Sequence, residues 1–280
     1  MQKIDLHIHT TASDGTFTPE EVVREASRLC LGAVAITDHD TAAGYLRAAA
    51  EGEKCGLEVV PGIEISTKFR AAVHILGYYI DTTSPALDEV LEWMHRDREE
   101  RNVKLCAMLR ESGVDVDIER MHARFGDLVG RPHFAEVMIE NGMARDMNDA
   151  FERLLNKNKP FFIPRQFLSI ERSIEIIREA GGAPVLAHPF QYRLDDAALR
   201  ELIEHCMASG LEGIECRYTG YDEEMCAYLE ALAAEYGLVR TGGSDFHGAI
   251  KSDIRLGEGR GELCVPYAFL EELKERAGKS

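Results

Sequence analysis

The 280-residue sequence predicts an α/β fold in which parallel strands alternate with helical crossovers and one helical insertion interrupts the alternation. Short apolar runs alternate with helical segments through residues 4–80 and again after about residue 160. The segment between them is almost wholly helical. Histidines and acidic residues also recur where the predicted strands end. These observations together predict six or seven core strands.

Ordinary start and stop signals bound the elements of the first half. The apolar-polar alternation in IDLHIH predicts a strand. Thr18 is the expected N-cap of a helix that begins at Pro19, and Gly32 is expected to stop it. AVAITDH predicts a buried strand, TAAGYLRAAAEGEKC predicts a helix that ends at Gly56, and LEVVPGIEIS and AVHILGYYI predict two extended runs.

The alternation breaks in the middle of the chain. From Ser84 to about Lys159 the pattern is helical and begins with PALDEVLEWMHRDREERNVKLCAMLRESG. After FFIP, helices alternate again with the strands APVLAHP, LEGIECRY and LVRTGGSDFH. The sequence therefore predicts an α/β domain of residues 1–83 and 160–280 and a helical insertion of residues 84–159.

Composition narrows the possible partners. Hydrophobic residues make up 45% of the chain and charged residues 29%, which is ordinary for a globular protein. The formal net charge of −17 opposes binding to a long nucleic-acid duplex or an anionic membrane. An anionic substrate would need a local positive site, which bound metal ions could supply.

The cysteines and the apolar runs predict a soluble cytoplasmic protein. Seven cysteines without any CxxC pair indicate reduced thiols rather than a disulfide framework or a zinc ribbon. Cys206, Cys216 and Cys226 are expected to be small core residues. No room for a signal peptide precedes Lys3, and no apolar run approaches the ~20 residues that span a bilayer.

Nine residues of metal-ligand type lie at or close to the ends of predicted strands. In closed parallel α/β barrels, the carboxyl ends of the strands meet at one rim, where active sites form. His7 and His9, two apart on a strand, should also point to the same side. The nine candidates are His7, His9, Asp14, His39, Glu64, His74, His188, Asp245 and His247.

Each candidate also has a purely structural interpretation. Asp14 with Gly15 is a turn signal, Asp40 is favoured as a helix N-cap for TAAGYL, and His74 alone could be a core histidine. Independent structural roles would not place all nine residues on one rim. The combined pattern therefore favours a multinuclear metal site.

The ligand chemistry indicates which ions and which reaction to expect. Mixed imidazole and carboxylate ligands suit zinc, manganese or iron. Nine ligands are too many for one ion, and Glu64 lies in the middle of the set, where it could bridge two. Such clusters lower the pKa of bound water and clamp a phosphoryl group. We therefore expect two or three divalent transition ions and hydrolysis of a phosphate ester.

Seven stretches resemble the PHP (polymerase and histidinol phosphatase) family: DLHIHTTASDG, AITDHDTAAG, PGIEIS, HILGY, RPHFA, VLAHP and GSDFH. They occur in the family order from residue 5 to residue 247. The resemblance implies a distorted seven-stranded (β/α) barrel with a helical insertion and up to three metal ions. It is greatest to phosphoesterases that act on nucleoside 3′,5′-bisphosphates, whose relatives trim short RNA from the 5′ end.

The resemblance also implies a role for each candidate. Glu64, Asp245 and His247 are expected to be catalytic as well as ligands. The implied ligand groups, in order, are His7, His9, Glu64 and Asp245; Glu64, His74 and His188; and Asp14, His39 and His247.

The insertion is expected to bind a substrate phosphate. RPHFA provides Arg131 and His133, and DREERNVKL provides Arg101. A planar guanidinium can bind a phosphate through two hydrogen bonds. Arg98 and Lys104, on the same predicted helix, are expected on its solvated face.

The sequence thus predicts a cytoplasmic metal-dependent phosphatase of small nucleotides, acting on the 3′-phosphate of a nucleoside 3′,5′-bisphosphate. The alternatives are a histidinol-phosphate phosphatase, a 5′-3′ exonuclease on short RNA oligonucleotides, or a non-enzymatic module that keeps metal ions for regulation or scaffolding. No membrane and no long duplex is expected as a partner.

Overall fold

A computed structural model of the protein describes residues 2–69, 72–126 and 128–279. Its strands are β1 (Lys3–Ile4), β2 (Ala33–Ile36), β3 (Glu58–Lys68), β4 (Ala72–Tyr78), β5 (Leu168–Ser169), β6 (Ala183–Leu186), β7 (Gly213–Tyr218), β8 (Val239–Gly243) and β9 (Val265–Pro266). Its α-helices are α1 (Pro19–Arg28), α2 (Ala43–Cys55), α3 (Pro85–Glu111), α4 (Ile118–Phe125), α5 (Arg131–Glu140), α6 (Met147–Ala150), α7 (Ile170–Glu179), α8 (Asp196–Ala208), α9 (Glu223–Tyr236) and α10 (Ala268–Arg276).

The main sheet has the order β2-β3-β4-β6-β7-β8, and β5 pairs with β3. Most neighbouring strands are parallel, as predicted, but β4 runs antiparallel to both β3 and β6. The expectation of parallel strands is therefore wrong for β4. The cause is chain length: β3 ends at Lys68 and β4 begins at Ala72, and so few residues cannot form the crossover that a parallel pair needs.

The segment that follows β1 closes the sheet into a barrel. On one side, the Asp5 N–H donates to the Ala33 carbonyl at 3.1 Å. On the other side, the Leu6 N–H donates to the Gly242 carbonyl at 3.1 Å and the His9 N–H donates to the Phe246 carbonyl at 2.9 Å. Because this segment bonds to the neighbourhoods of β2 and β8 at once, the predicted distorted seven-stranded barrel is confirmed.

Local signals start α1 and end α2 as predicted, whereas α1 itself ends at Arg28 with Leu29 as its C-cap, before the expected stop at Gly32. Thr18 accepts from the Glu21 N–H at 3.3 Å, and the Glu21 carboxylate accepts from the Thr18 N–H at 2.8 Å, which completes a capping box. Pro19 occupies the first turn of α1. Gly56 ends α2 with φ 66°, a conformation that glycine adopts without strain.

The long helix α3 packs on two separate hydrophobic clusters. Leu87 and Met94, in its first half, belong to the core of the barrel. Leu105 and Leu109, in its second half, belong to a cluster shared with α4, α5 and α6. α3 therefore carries the insertion across the barrel. The exact division at residues 84–159 stays a prediction.

The cysteines do not form disulfides in the structure. All seven are free; Cys206 and Cys216 are buried, as predicted, and Cys226 is half-buried. Within the described ranges, no helix is both long and apolar enough to cross a membrane.

Candidate metal centre

The nine predicted ligand residues lie together at one end of the barrel. All are buried or half-buried. Glu64 and His74 lie within strands β3 and β4, and the other seven lie on the segments that follow β1, β2, β6 and β8. The reversed direction of β4 explains His74: it lies near the start of its strand, which is the end of the barrel where the parallel strands finish. The gathered residues are His7, His9, Asp14, His39, Glu64, His74, His188, Asp245 and His247.

Glu64 is the centre of this cluster and is 1% exposed. Its Oε1 lies 2.7 Å from His74 Nδ1 and 3.1 Å from His188 Nε2. Its Oε2 lies 2.9 Å from His39 Nδ1 and 3.2 Å from His9 Nε2. The two oxygens of Glu64 therefore face different histidines.

The potential ligand atoms fall into four overlapping groups, and within each group the atoms lie within 4.8 Å of one another. The groups are His9, Asp14, His39 and His247; His7, His9 and Asp245; His7, Glu64 and His188; and His39, Glu64 and His74. This spacing matches three or four ligands per ion.

Unsatisfied buried atoms show that the cluster fits metal ions. Both ring nitrogens of His9, Nε2 of His7, Nδ1 of His39 and Oε2 of Glu64 are buried and, close as some of them lie to one another, form no well-aligned hydrogen bond with the described residues. Leaving such groups unpaired is costly, and most native proteins avoid it. Lone pairs on imidazole and carboxylate atoms suit zinc, manganese or iron, so the donor set and its geometry both fit.

Charge within the cluster perturbs its pKa values. Burial and the neighbouring His247 and His39 lower the pKa of His9 to about 4. Burial opposes a charge on His39, but the carboxylates Glu64 and Asp14 outweigh it and raise its pKa to about 9. A metal ion has to displace this proton, so binding and deprotonation are coupled.

Asp14 takes part in both a turn and the site. The turn is made by the N–H groups of Ser13 and Gly15, which donate to the Thr10 carbonyl at 3.0 and 2.9 Å. The Asp14 carboxylate is not used by these bonds, and its Oδ1 lies 3.4 Å from His247 Nε2. The turn interpretation is thus correct for the backbone and leaves the side chain available as a ligand.

Two donors hold one oxygen of Asp245. The Tyr218 hydroxyl and the Lys251 ammonium both lie 2.6 Å from Oδ2, while Oδ1 lies 3.2 Å from His9 Nε2. Asp245 has φ 55° and His188 has φ 27°. Such conformations are costly for residues other than glycine and concentrate at functional sites.

Two predictions beside the metal cluster are wrong. Asp40 does not cap α2, whose N-cap is Ala42. Asp40 is instead buried and forms ion pairs with Arg98 and with Arg165, the latter at 2.8 Å. Arg98 is therefore not on a solvated face. The reason is the course of α3, which crosses the end of the barrel and turns this arginine inward. Lys104 is exposed, as predicted.

Four arginines form what we call the arginine cluster: Arg98, Arg101, Arg131 and Arg165. Burial and the charges of its arginine neighbours lower the pKa of Arg101 to about 9. Burial and Arg165 also lower the pKa of Arg131. The Nε atoms of Arg98, Arg101 and Arg165 are buried without a hydrogen-bond partner among the described residues. Arg98 and Arg165 share the carboxylate of Asp40, whereas Arg101 and Arg131 form no ion pair with the described residues, so the arginine cluster has an excess of positive charge that suits an anion.

We call the nine candidate ligands the metal-type cluster. The arginine cluster adjoins it at the start of α5. A Cβ placed on Gly130 would lie 3.7 Å from Arg98 Nη1 and 4.0 Å from Asp14 Cβ. His133 fixes this helix start, because its Nδ1 accepts the Gly130 N–H at 2.9 Å and its ring stacks on Phe125. Its predicted contact with substrate stays a prediction.

Sequence reasoning missed Arg165, Glu215, Tyr218 and Lys251. Arg165 follows a proline in an irregular segment, and nothing in the local pattern marks it. Glu215 did carry a signal, because an acidic residue inside the buried strand GIECRY is unusual unless a partner holds it.

Comparison with known proteins gives relatives over most of the chain. Residues 5–173 match the family described as PHP domain. The 5′-3′ exoribonuclease Rnm of Escherichia coli strain K12 is 36% identical over 247 residues, covering 87% of this chain and 84% of that one. The 3′,5′-nucleoside bisphosphate phosphatase of Chromobacterium violaceum is 32% identical over 271 residues, or 95% of each chain. A solved structure from Bifidobacterium adolescentis, described as a metal-dependent phosphoesterase, superposes with a TM-score of 0.86 at 30% identity and covers 98% of this chain and 96% of that one.

Imidazoles and carboxylates line one end of the barrel. Together with these relatives, this arrangement defines the class of protein, which is a metal-dependent phosphoesterase. The chain belongs to the PHP domain family, as its motifs predicted.

Proposed function

We propose that the chain removes the 3′-phosphate of a nucleoside 3′,5′-bisphosphate. The observation that supports this proposal is that two clusters of different chemistry adjoin each other, the metal-type cluster and the arginine cluster, and each could bind a phosphate. A bisphosphate offers one phosphate to each. The name of the Chromobacterium violaceum relative supports the same substrate class.

For the metal site, we propose two or three divalent transition ions, because nine ligands at three or four per ion give that number. When bound, such ions lower the pKa of water and neutralise charge on phosphoryl oxygens. Glu64, at the centre of the set, would be among the residues that hold these ions. Asp245 would use Oδ1, since Tyr218 and Lys251 already occupy Oδ2.

A contact of His247 with the backbone indicates which of its ring nitrogens could bind a metal ion. Its Nδ1 lies 2.9 Å from the carbonyl oxygen of Asp245. A carbonyl only accepts, so a neutral His247 carries its hydrogen on Nδ1 and has its lone pair on Nε2. We therefore assign His247 as a ligand through Nε2 rather than as the group that protonates the leaving oxygen.

The second phosphate is proposed to bind Arg131 and Arg101, with Arg165 beside them. Arg101 and Arg131 form no ion pair with the described residues, and a planar guanidinium suits a bidentate contact with phosphate. His133 supports this site indirectly by fixing the start of α5. On this proposal the insertion, residues 84–159, supplies selectivity, while the barrel of residues 1–83 and 160–280 supplies the chemistry. A reducing compartment such as the cytoplasm suits the seven free cysteines.

A 5′-3′ exoribonuclease acting on short RNA is the second candidate. The observation that favours it is the 36% identity to the Escherichia coli enzyme of that name. The 5′ end of a phosphorylated RNA also presents two phosphates on one ribose. Histidinol phosphate fits less well, because the arginine cluster would repel its cationic amino group.

A substrate panel tests the proposal. The metal-loaded protein should hydrolyse adenosine 3′,5′-bisphosphate with a higher kcat/KM than histidinol phosphate or 4-nitrophenyl phosphate. A higher kcat/KM on a 5′-phosphorylated dinucleotide would favour the exoribonuclease. Equal values for all four compounds would contradict recognition of a second phosphate.

Arg131→Ala should impair the bisphosphate and leave 4-nitrophenyl phosphate nearly unaffected. Loss of one charge-assisted hydrogen bond typically costs ~1.5–3 kcal/mol, or roughly 10- to 150-fold in kcat/KM. Arg96→Ala is the matched control, because Arg96 is exposed on α3 and pairs with Glu92. Equal losses on both substrates would mean that Arg131 serves the reacting phosphate or the fold, and no loss on either would remove it from the site.

A further inference from the structure

We propose that Glu215 is a positioning residue that keeps His7 ready to bind metal through Nε2 and fixes His188 at the same time. The inference rests on the proposed metal site and extends it to a residue that is not itself among the candidate ligands.

Glu215 lies on β7 and is completely buried. Its Oε1 lies 3.0 Å from His7 Nδ1, and its Oε2 accepts the backbone N–H of His188 at 2.7 Å. No lysine or arginine in the described ranges forms an ion pair with it. A buried carboxylate is costly without partners, so these two contacts account for its presence inside the barrel.

The contact with His7 fixes which ring nitrogen can bind a metal ion. An ionised carboxylate only accepts hydrogen bonds, so a neutral His7 carries its one proton on Nδ1. The lone pair of Nε2 is then free, and this buried atom has no hydrogen-bond partner among the described residues. It lies 3.4 Å from Glu64 Oε1 and 3.7 Å from Asp245 Oδ1. Metal-binding histidines are commonly oriented in this way by a carboxylate.

The contact with His188 restrains a backbone that would otherwise relax. His188 has φ 27°, which is unfavourable for a residue with a side chain. The bond from its N–H to Glu215 holds this conformation, and its Nε2 then lies 3.1 Å from Glu64 Oε1. His7 and His188 belong with Glu64 to one of the four ligand groups, and the family resemblance assigns them to different ions. Glu215 would therefore hold two candidate ligands, His7 by its ring and His188 by its backbone, through one side chain.

An irregularity in β7 places Glu215 together with Tyr218. The pairing of β7 with β8 shifts register between Glu215 and Arg217. Residues three apart on a regular strand face opposite sides, whereas here Tyr218 also reaches the site and Arg217 turns outward to Glu230. Such bulges re-aim side chains next to active sites.

Glu215→Gln tests the inference at the level of single atoms. The backbone N–H of His188 can only donate, so the amide oxygen of Gln must face it. The amide NH2 then faces His7 Nδ1 and drives the ring proton to Nε2, where it blocks the ligand. We expect zinc affinity, measured by chelator competition on protein stripped of metal, to fall ~10- to 100-fold.

The matched control is Glu230→Gln, which removes the same charge from a residue on α9 that pairs with Arg217 and Arg240. Its zinc affinity should equal that of the wild-type protein. An affinity of Glu215→Gln within about twofold of wild type, or an equal loss in both variants, would overturn the inference.

A second measurement does not require a substitution at Glu215. In zinc-loaded wild-type protein labelled with 15N-histidine, NMR should show His7 bound to zinc through Nε2 with a hydrogen-bonded proton on Nδ1. Its signal is identified by its loss in His7→Gln. Coordination through Nδ1 would overturn the role of Glu215 even if Glu215→Gln fails to fold.

If the proposed substrate is wrong, these measurements give a different pattern of results. Wild-type protein would then bind zinc without hydrolysing the bisphosphate, and the affinity loss in Glu215→Gln would still support the role of Glu215. Wild-type protein that binds no zinc would overturn both proposals.

Discussion

Glu64→Gln is expected to lower kcat at least ~100-fold, because the loss of a bridging ligand should exceed the 10- to 100-fold effect typical of an outer-shell partner. Both oxygens of Glu64 face histidines of the cluster, at 2.7–3.2 Å for the four nearest. Gln keeps the size of the side chain but replaces one oxygen with an NH2 group that cannot bind a cation. Metal content should fall together with activity.

Glu58→Gln is the control for this change. Glu58 lies on the same strand and pairs with Lys274 at 2.8 Å. Glu58→Gln therefore removes the same charge outside the metal-type cluster. Normal kcat and normal metal content in Glu64→Gln would remove Glu64 from the centre of the site.

Asp14→Asn should lower kcat ~100-fold or more, the scale expected when the charge of a catalytic metal ion is lost. It should also release one ion, which elemental analysis detects. The fold should persist, because the hydrogen bonds of the turn involve the backbone of Thr10, Ser13 and Gly15 rather than the Asp14 carboxylate. Thermal unfolding close to that of the wild-type protein checks this point.

The exposed Asp115, which pairs with Arg120, gives the control Asp115→Asn. Normal activity and unchanged metal content in Asp14→Asn would mean that Asp14 serves the turn alone.

The candidate ligands could be predicted from sequence because they share one simple property. Residues such as His39 and His188 follow the ends of strands, and parallel strands bring those ends together however the helices pack. His74 reached the same rim for a different reason, the reversal of β4. In that case a local motif identified the residue, although the expected strand direction was wrong.

The arginine cluster could be predicted only in part. Asp40 pairs with Arg98, which lies 58 residues away in the sequence, and with Arg165, which lies 125 residues away. Such contacts depend on how the insertion lies over the barrel, which no local periodicity reports. An arginine on a helix of an acidic chain is ordinarily solvated, so the sequence predicts the wrong face for Arg98. Lys251, on a short 3-10 segment, carried no signal at all.

The position of Glu215 in its strand is a sequence signal for a buried partner. A charged residue between apolar neighbours in a buried strand needs a partner inside the protein. The sequence therefore indicated that Glu215 was paired. It could not show that the partners were His7 and His188, since neither is near it in the chain.

The most direct test of the metal site is the number of ions bound per chain. Protein purified without chelator, and then reconstituted with manganese, iron or zinc, should carry two or three transition ions by elemental analysis, because nine ligands divide at three or four per ion. At most one ion per chain after reconstitution would contradict the multinuclear site on which the proposed function depends.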